Sequence, residues 1–251
     1  MKRQPAIIGS HFFEIDACDS TNRTLQEWLK THPLPEGTVL RTHQQNAGRG
    51  QGTNTWISEP GQNLTFSCVL FPENLNLSHA FILNMAITLG IYDYLTGFFH
   101  DHVKIKWPND LLVNQKKIAG ILFANTIRDQ KVTQSVIGIG INMNQEKFHD
   151  LPNAVSLFVL LKQKKVLADE LVRLLKCLDE RYRLFREGKF EEIRVEFSRS
   201  LLGYHEPCNF FKEDVGFTAS IMGVNTEGKL ALHEGDTLNY YSHQEIKQSW
   251  G

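Results

Sequence analysis

The segment from His43 to Gly52 combines alternating glycines with one arginine, a composition suited to holding an anion. Glycines at positions 48, 50 and 52 let the backbone pass close to a ligand and turn its N–H groups toward it. Arg49 adds a planar cation that matches a carboxylate or a phosphate. A flexible surface loop has the same composition, so both interpretations stay open at this point. A dinucleotide-binding fingerprint is excluded, because no helix starts directly after the glycines.

Lysines mark two short segments in the middle of the chain. The segment Lys104 to Asp110 contains a strand-ending proline and residues that can close a turn, so alone it predicts only a hairpin. In the segment Lys117 to Leu122, a lysine opens an apolar run, and its ammonium must reach water along its own stem or meet an anion. Spacing alone favours the first outcome. Gly120 in this run indicates close approach by another group.

The segment from Gly138 to Asn144 lies at the end of a predicted strand and gives the weakest of these signals. Its glycines permit close approach of the backbone, and Asn142 offers both a donor and an acceptor. The 10 histidines form no HExxH motif or comparable ligand spacing. The sequence therefore predicts no metal site.

Alternating strand and helix patterns surround these segments and predict an α+β fold. Strands are predicted at residues 11–16, 38–42, 64–70, 103–107, 111–113, 117–124 and 132–139. Helices are predicted from residue 20 to about residue 31, from residue 78 through residue 95, and over residues 169–186. The stretch from His43 to Asn63 shows no apolar period, and a loop this long within a domain is usually functional.

After Gly203 the pattern changes to short apolar runs separated by glycine-containing turns. Evenly spaced short strands of this kind are typical of a small β-barrel. We therefore predict a larger domain over residues 1–200 and a small β domain over residues 201–251.

The overall charge is nearly balanced. The chain has 251 residues, with 27 basic and 28 acidic side chains and a net charge of −1. This balance excludes a nucleic-acid binder that works through bulk positive charge. The longest uninterrupted apolar runs are too short to span a membrane. The four cysteines form no CxxC pair, which indicates reduced thiols in the cytoplasm.

Taken in order along the chain, these segments resemble one family, the biotin–protein ligases. The resemblance covers residues 11–157 and rests on Asp19-Ser20-Thr21-Asn22, Gln45-Asn46-Ala47-Gly48-Arg49-Gly50, Lys106-Trp107-Pro108-Asn109-Asp110, Lys117-Ile118-Ala119-Gly120-Ile121-Leu122 and Gly138-Ile139-Gly140-Ile141-Asn142. It implies a mixed central sheet flanked by helices, similar to class II synthetase and lipoyl-ligase domains, followed by a small SH3-like β-barrel. It also implies an ATP-dependent biotin–[acetyl-CoA-carboxylase] ligase. Such an enzyme activates biotin as biotinoyl-5′-AMP and transfers it to a lysine of a biotin carboxyl carrier protein.

The resemblance also assigns roles to individual residues. Biotin would be bound by Ser20, Thr21, Asn22, Gln45 and Gly120. The nucleotide would be bound by Arg49, Gly50, Gln51, Lys117 and Asn142. Arg49 and Lys117 would be the catalytic cations, and Mg²⁺ would bridge phosphate oxygens of ATP.

The chain departs from the family pattern at Gln51 and Asn54, where the family usually has basic residues. Both changes remove positive charge from the glycine-rich segment and bear on how tightly the adenylate is retained. Few residues precede the first predicted strand, so we expect the monofunctional type without an N-terminal DNA-binding domain. The resemblance is also compatible with a homodimer formed through the sheet.

Two alternatives compete with this interpretation. A lipoate–protein ligase on the same fold would carry an Arg-Arg-x-Ser-Gly-Gly-Gly loop, which this sequence lacks. A non-catalytic regulator that binds biotin or its adenylate would not need both Arg49 and Lys117. We expect a cytoplasmic enzyme that binds neither nucleic acid nor a membrane.

Overall fold

The structure, a computed structural model, describes residues 6–149 and 151–249. The strands of the main sheet are β1 (Phe12–Cys18), β2 (Val39–Gln45), β3 (Leu64–Leu70), β4 (Leu75–Asn76), β5 (Val103–Lys106), β6 (Asp110–Val113), β7 (Lys116–Arg128) and β8 (Lys131–Ile141). The helices are α1 (Thr21–Thr31), α2 (Ala80–Phe99), α3 (Leu157–Leu161), α4 (Leu167–Arg186) and α5 (Phe190–Arg199). The strands of the second, C-terminal sheet are β9 (Pro207–Lys212), β10 (Val215–Val224), β11 (Leu230–Glu234), β12 (Thr237–Tyr241) and β13 (Lys247–Gln248).

The main sheet has eight strands in the order β1-β2-β3-β8-β7-β6-β5, with the short β4 paired to β8. β1 runs parallel to β2, and the other neighbouring pairs are antiparallel. This is the mixed sheet that the sequence predicted. All 7 residues of β3 are buried, because elements cover the centre of the sheet on both faces.

Helices pack on the two faces of the main sheet. On one face, α1 forms a small core with the sheet through Leu25, Leu40, Val69 and Val136. On the other face, Phe66 and Cys68 of β3 join the main core, which also contains residues of α2 and α4. This alternation follows from the strand geometry, in which neighbouring side chains point to opposite faces.

The segment Leu77–His102, which contains α2, is the one stretch of the described residues long and apolar enough to cross a membrane. The sequence analysis did not single it out, because its apolar residues are not consecutive. Inside the protein, 61% of its most apolar window is buried. Packing of α2 against α4 and the sheet in the main core accounts for this composition.

The C-terminal sheet has five strands in the order β12-β11-β10-β9-β13, all antiparallel. β9 to β12 coincide with the predicted short runs, whereas β13 was not predicted. Within residues 6–149 and 151–249, no pairing joins β12 to β13. Closure of this sheet into an SH3-like barrel therefore stays a prediction.

The two sheets share one apolar core. Phe210, Ile221 and Leu232 of the C-terminal sheet belong to the same buried cluster as the residues of α2 and the main sheet. At the junction, the backbone N–H of Val224 donates to Ser198 Oγ at 3.1 Å. Since burial is continuous across residue 200, the division into two domains also stays a prediction.

Several elements differ from the prediction, which did not include helix α3 or the short strands β4 and β13. Helix α5 was missed, because its buried stripe is short and charged residues flank it; Ile193 and Phe197 are its buried apolar residues. Strand β2 extends past the predicted end at Thr42 to Gln45, because β1 pairs with it as far as the Cys18–Gln45 partners. This extension brings Gln45 beside the start of α1.

Candidate active site

A cavity of about 430 Å³ lies where α1, β7 and β8 meet the glycine loop, which we define as residues 46–63 between β2 and β3. The predicted site residues that line it are Ser20, Thr21, Asn22, Gln45, Arg49, Gly50, Gln51, Lys117 and Gly120. The tertiary structure therefore assembles in one place residues that are far apart in the sequence.

One part of the cavity, which we call the neutral end, is formed by Ser20, Thr21, Asn22 and Gln45. Thr21 donates to Gln45 Oε1 from its backbone N–H at 2.9 Å and from Oγ1 at 3.1 Å. The Thr21 and Ser67 hydroxyls lie 2.8 Å apart, within hydrogen-bond distance. These contacts are buried or partly buried and uncharged, so they can hold a neutral polar ligand with little freedom to rearrange.

The first turn of α1 presents two more groups to the neutral end. Ser20 is the N-cap, but its side chain makes no capping hydrogen bond, so the hydroxyl is not committed to its own helix. Asn22 Nδ2 donates to the carbonyl of Val136 at 3.1 Å, and Gln26 Nε2 donates to Asn22 Oδ1 at 2.5 Å. The amide of Asn22 is thereby fixed between α1 and β8.

The glycine loop folds back on itself above the sheet. The backbone N–H of Trp56 donates to the carbonyl of Gly48 at 2.9 Å, and that of Gly50 donates to Asn54 at 2.8 Å. A Cβ at Gly48 would lie 2.3 Å from the Trp56 carbonyl oxygen, so only glycine fits there. The sequence analysis expected close approach at these glycines; at Gly48 the group that approaches is the loop itself, and a Cβ at Gly52 would meet no atom within 4 Å.

The side chain of Trp56 anchors the loop in the cavity. Its indole packs on Gly140 of β8, where a Cβ would lie 2.3 Å from Cε2, and it also lies against Gly120 of β7. Its Nε1 is buried and has no hydrogen-bond partner in the described protein. The sequence analysis found no apolar period in this loop and missed this anchor, because a single tryptophan has no period.

The other part of the cavity, which we call the cationic end, contains Arg49, Lys106, Asp110, Lys117 and His243. Lys117 Nζ lies 2.7 Å from Asp110 Oδ1, and 5.9 Å from the centre of the Trp56 ring. The lysine side chain retains 34% exposure and the aspartate 23%. Lys117 therefore points into the cavity toward a charged partner, whereas spacing alone had favoured a path to bulk water.

The hairpin between β5 and β6 shapes the cationic end. Asn109 Nδ2 donates to the carbonyl of Ile121, which ties the turn to β7. Burial lowers the pKa of Lys106, and the nearby Lys117 lowers it further, while Asp110 opposes both effects. The motif in this segment had been noted, but alone it predicted only a hairpin.

Gly138 and Gly140 show how the two ends are arranged along β8. Gly138 faces Asn22, because a Cβ added at Gly138 would lie 3.3 Å from Asn22 Nδ2. Gly140 faces Trp56. Gly120 is the cross-strand partner of Gly140, and a Cβ built at Gly120 would lie 3.4 Å from Lys117 Nζ. The two ends thus lie at successive same-face positions of one strand, joined by the indole of Trp56.

Asn142 lies outside the residues that line the cavity. Its backbone N–H donates to Ile118 at 2.9 Å, and its Nδ2 donates to Val155 at 3.0 Å. These bonds link the end of β8 to the start of β7 and to the chain before α3. The structure therefore gives Asn142 a framework position, and its predicted contact with a nucleotide stays a prediction.

No group of three or more His, Cys, Asp or Glu side chains in residues 6–149 and 151–249 is arranged to hold a metal ion. Asp110 is the one carboxylate among the described residues of the cavity, and Lys117 already pairs with it. The cavity is therefore built to receive negative charge.

The sequence matches a known family and curated proteins. The model of the biotin/lipoate A/B protein ligase family matches residues 14–142. The bifunctional ligase/repressor BirA of Bacillus spizizenii is 30% identical over 246 residues, which cover 96% of this chain and 75% of the relative. The biotin--[acetyl-CoA-carboxylase] ligase of Paracoccus denitrificans is 35% identical over 128 residues, which cover 50% of this chain and 51% of the relative.

The fold is also known from solved structures. The biotin protein ligase from Aquifex aeolicus in complex with biotin and ATP superposes with a TM-score of 0.79 at 24% identity, over 96% of this chain and 100% of that chain. This likeness shows the fold, including the C-terminal sheet. The family match covers the glycine loop and most of the cavity, and the match to BirA of Bacillus spizizenii covers 96% of this chain. The chain therefore belongs to the biotin/lipoate A/B protein ligase family, and within it to the biotin–protein ligases.

Proposed function

We propose that this single cavity carries out both half-reactions of biotin–protein ligation. In the first, a carboxylate oxygen of biotin attacks the α-phosphorus of ATP, pyrophosphate leaves, and biotinoyl-5′-AMP forms. In the second, the neutral ε-amine of a lysine on a carrier protein attacks the acyl carbonyl. AMP then leaves as the amide bond forms.

The neutral end binds the ureido ring of biotin in this proposal. That ring is uncharged and carries both N–H donors and a carbonyl acceptor. Ser20, Thr21 and Asn22 supply hydroxyl and amide groups of both kinds, and Gln45 is held among them by Thr21. Gly120 supports this assignment as a point of close approach along β7, between the two ends.

The cationic end binds the reacting groups. A carboxylate and a triphosphate repel each other, so cations are needed where they meet. Lys117 contacts the oxygens of the acyl phosphate, and Arg49 with the backbone of Gly50 and Gln51 closes over them. The single observation that carries the proposal is the position of Lys117, whose ammonium points into the cavity where the neutral end gives way to the cationic end.

Mg²⁺ enters this proposal with ATP and is not held by a protein cage. Since no cluster of three ligating side chains occurs in the described residues, phosphate oxygens would supply its anionic ligands. The ion would neutralise phosphate charge, and the side chains of the cationic end would orient the same groups.

The glycine loop protects the adenylate from water. A mixed anhydride hydrolyses readily, and a closed loop slows this loss. Trp56 supplies the apolar cover over Gly140 and Gly120. Gln51 and Asn54 are neutral. The adenylate is therefore retained mainly by Arg49 and the indole of Trp56, whereas further basic residues in the loop would share this task.

The carrier and the location complete the proposal. The acceptor is the lysine of a biotin carboxyl carrier protein domain, and the protein works in the cytoplasm. Its four cysteines are free thiols, which suits a reducing compartment. We also propose a homodimer formed through the main sheet, whose edge strand β1 is exposed at Phe12 and Phe13.

The test follows the two half-reactions separately. The protein is incubated with ATP and Mg²⁺ plus biotin, lipoate or no acid, and pyrophosphate release is measured in a single turnover. A purified carrier domain is then added, and the mass increase of its lysine is measured. Release with biotin alone followed by lysine biotinylation is expected; release with lipoate, or no release with either acid, would contradict the proposal.

A further inference from the structure

The C-terminal sheet contributes a side chain to the active cavity. His243 lies in the turn after β12 and lines the cationic end. Its ring centre lies 5.5 Å from that of Trp107, which is itself buried in the hairpin between β5 and β6. No feature of the sequence singled out this histidine, because it lies 136 residues along the chain from Trp107.

The turn that carries His243 is fixed in place. Three residues later Ile246 is buried, and the backbone N–H of Ser242 donates to Glu245 Oε2 at 2.5 Å. A neighbouring turn of the same sheet is tied to the cavity wall, because Trp107 Nε1 donates to the carbonyl of Gly228 at 3.1 Å. His243 is thus held at the rim of the cavity, although its side chain is exposed there.

The charges around His243 match a polyanion. Lys106 and Asp110 are the charged groups that shift the pKa of His243. Lys117 and Arg49 line the same cavity. Asp110 pairs with Lys117, so the carboxylate balances one of the three cations. Three cations against one carboxylate among the described residues of the cavity give this end a net positive charge, which suits an anion with several negative charges.

We propose that His243 binds the terminal phosphates of ATP and holds them as pyrophosphate when they leave. This assignment rests on the proposed function of the cavity. An imidazole N–H donates to a phosphate oxygen beside Lys106, so the C-terminal sheet takes a direct part in adenylation. The acyl-transfer step, which begins after pyrophosphate has left, does not use His243.

The electrostatics predict that this contact is linked to a proton. Partial desolvation of the ring at the cavity rim lowers the pKa of His243, and the nearby Lys106 adds to this effect, while Asp110 raises the pKa. The imidazole is therefore mainly neutral at pH 7 before the phosphates bind. A polyphosphate beside the ring favours the charged form and raises the pKa, so binding takes up protons. Affinity falls as the pH rises through the pKa of the complex.

The first experiment compares two halves of the nucleotide. Inorganic pyrophosphate and AMP are each titrated calorimetrically into the parent protein and into His243→Ala, His243→Gln and His233→Ala. His233 is exposed on β11 and does not line the cavity, which makes it a matched control. His243→Ala should weaken pyrophosphate binding about tenfold, the scale of one lost hydrogen bond to a charged group, and change AMP binding less than about twofold.

The second experiment measures the proton. Pyrophosphate titrations at pH 7 in buffers of different ionisation enthalpy report the protons taken up on binding. The parent and His233→Ala should take up more protons than His243→Ala and His243→Gln, neither of which can be protonated at that position. Equal uptake and equal affinity in all four proteins would overturn the proposal.

A third measurement separates this inference from an alternative and from the proposed function. If His243→Ala slows amide formation from preformed biotinoyl-5′-AMP while pyrophosphate binding is unchanged, His243 serves the acceptor amine and the inference is wrong. Because the binding experiments need no turnover, proton-linked pyrophosphate binding through His243 in a protein that makes no biotinoyl-5′-AMP would support this inference and contradict the proposed function.

Discussion

The two ends of the active cavity are built in different ways. The neutral end lies at the start of one helix and the end of the strand beside it, and its hydrogen bonds are buried or partly buried and uncharged. The cationic end is collected from the glycine loop, the β5–β6 hairpin, β7 and the C-terminal sheet. Its central ion pair, Lys117 with Asp110, stays partly exposed.

In the proposed function, this difference corresponds to what each end must do. Fixed, buried hydrogen-bonding groups give selectivity for a neutral ring, because a ligand that does not match them leaves those groups unpaired. Groups that act on a reacting phosphate must offset charge that grows and then leaves. Side chains that remain accessible to water can exchange partners during such a reaction, whereas buried charges would be locked to one of them.

Lys117→Ala gives the largest expected effect and tests whether catalysis belongs to the cationic end. Loss of the ammonium should lower the adenylation rate by on the order of 10²–10³, because the charge growing at phosphorus loses its main partner. Biotin affinity should change by less than about threefold, since the neutral end is intact. Single-turnover pyrophosphate release and biotin titration measure the two effects.

Lys116→Ala is the matched control, since this exposed neighbour lies on the same strand outside the cavity. It should behave like the parent. An adenylation rate for Lys117→Ala within about threefold of the parent would remove the catalytic assignment, given that tenfold corresponds to about 1.4 kcal/mol.

Gly140→Ala tests whether Trp56 joins the two ends. The added methyl would lie 2.3 Å from the indole, so the Trp56 side chain must move away from β8 and the glycine loop must open. Adenylation should fall on the order of tenfold to a hundredfold, because loss of the cover misplaces the reacting groups. Rapid-quench kinetics give the rate, and tryptophan emission reports whether the indole becomes exposed to water.

Gly97→Ala serves as the control for Gly140→Ala, because a Cβ there would meet no atom within 4 Å. Its rate and emission should match the parent. Normal adenylation by Gly140→Ala with shifted emission would show that packing of the Trp56 indole on Gly140 is unnecessary for adenylation.

Thr21→Val gives the smallest expected effect and probes the neutral end. It removes the hydroxyl that donates to Gln45 and contacts Ser67, while the backbone bond to Gln45 remains. Biotin affinity should weaken about fivefold to tenfold, the scale of one buried hydrogen bond. The adenylation rate at saturating biotin should stay within about threefold, as isothermal titration and pyrophosphate release can show.

Thr31→Val lies at the exposed end of the same helix and should leave biotin affinity unchanged. A Thr21→Val protein with normal biotin affinity and slow adenylation would reverse the contrast between the ends.

Much of the fold follows from local patterns. The predicted strand at residues 64–70 coincides with β3, and the predicted helix at residues 169–186 lies within α4. Both carry clear apolar periods, which depend on near neighbours alone. The extension of β2 to Gln45 and the short helix α5 could not be predicted in this way, because pairing with β1 and packing against the core stabilise them.

The cavity shows the same division. The segments containing Thr21, Arg49 and Lys117 were recognised from residue types and spacing within a few positions, and the structure brings them together. The direction of the Lys117 side chain was not predictable from its strand, because its partner Asp110 belongs to the next strand of the sheet. His243 was missed, because it belongs to no local pattern, and the anchoring role of Trp56 was not predicted, because its partners Gly120 and Gly140 lie on other strands.

The sequence by itself determined which segments can bind an anion, since close backbone approach requires glycine and anions require cations, and its resemblance to the biotin–protein ligases indicated the class of chemistry. Only the tertiary structure decided which cations share a cavity, which glycines face Trp56, and that His243, after β12, lines the same cavity. The physical reason is that residue type fixes what a side chain can bind, whereas its neighbours across the fold depend on sheet pairing and on one continuous apolar core.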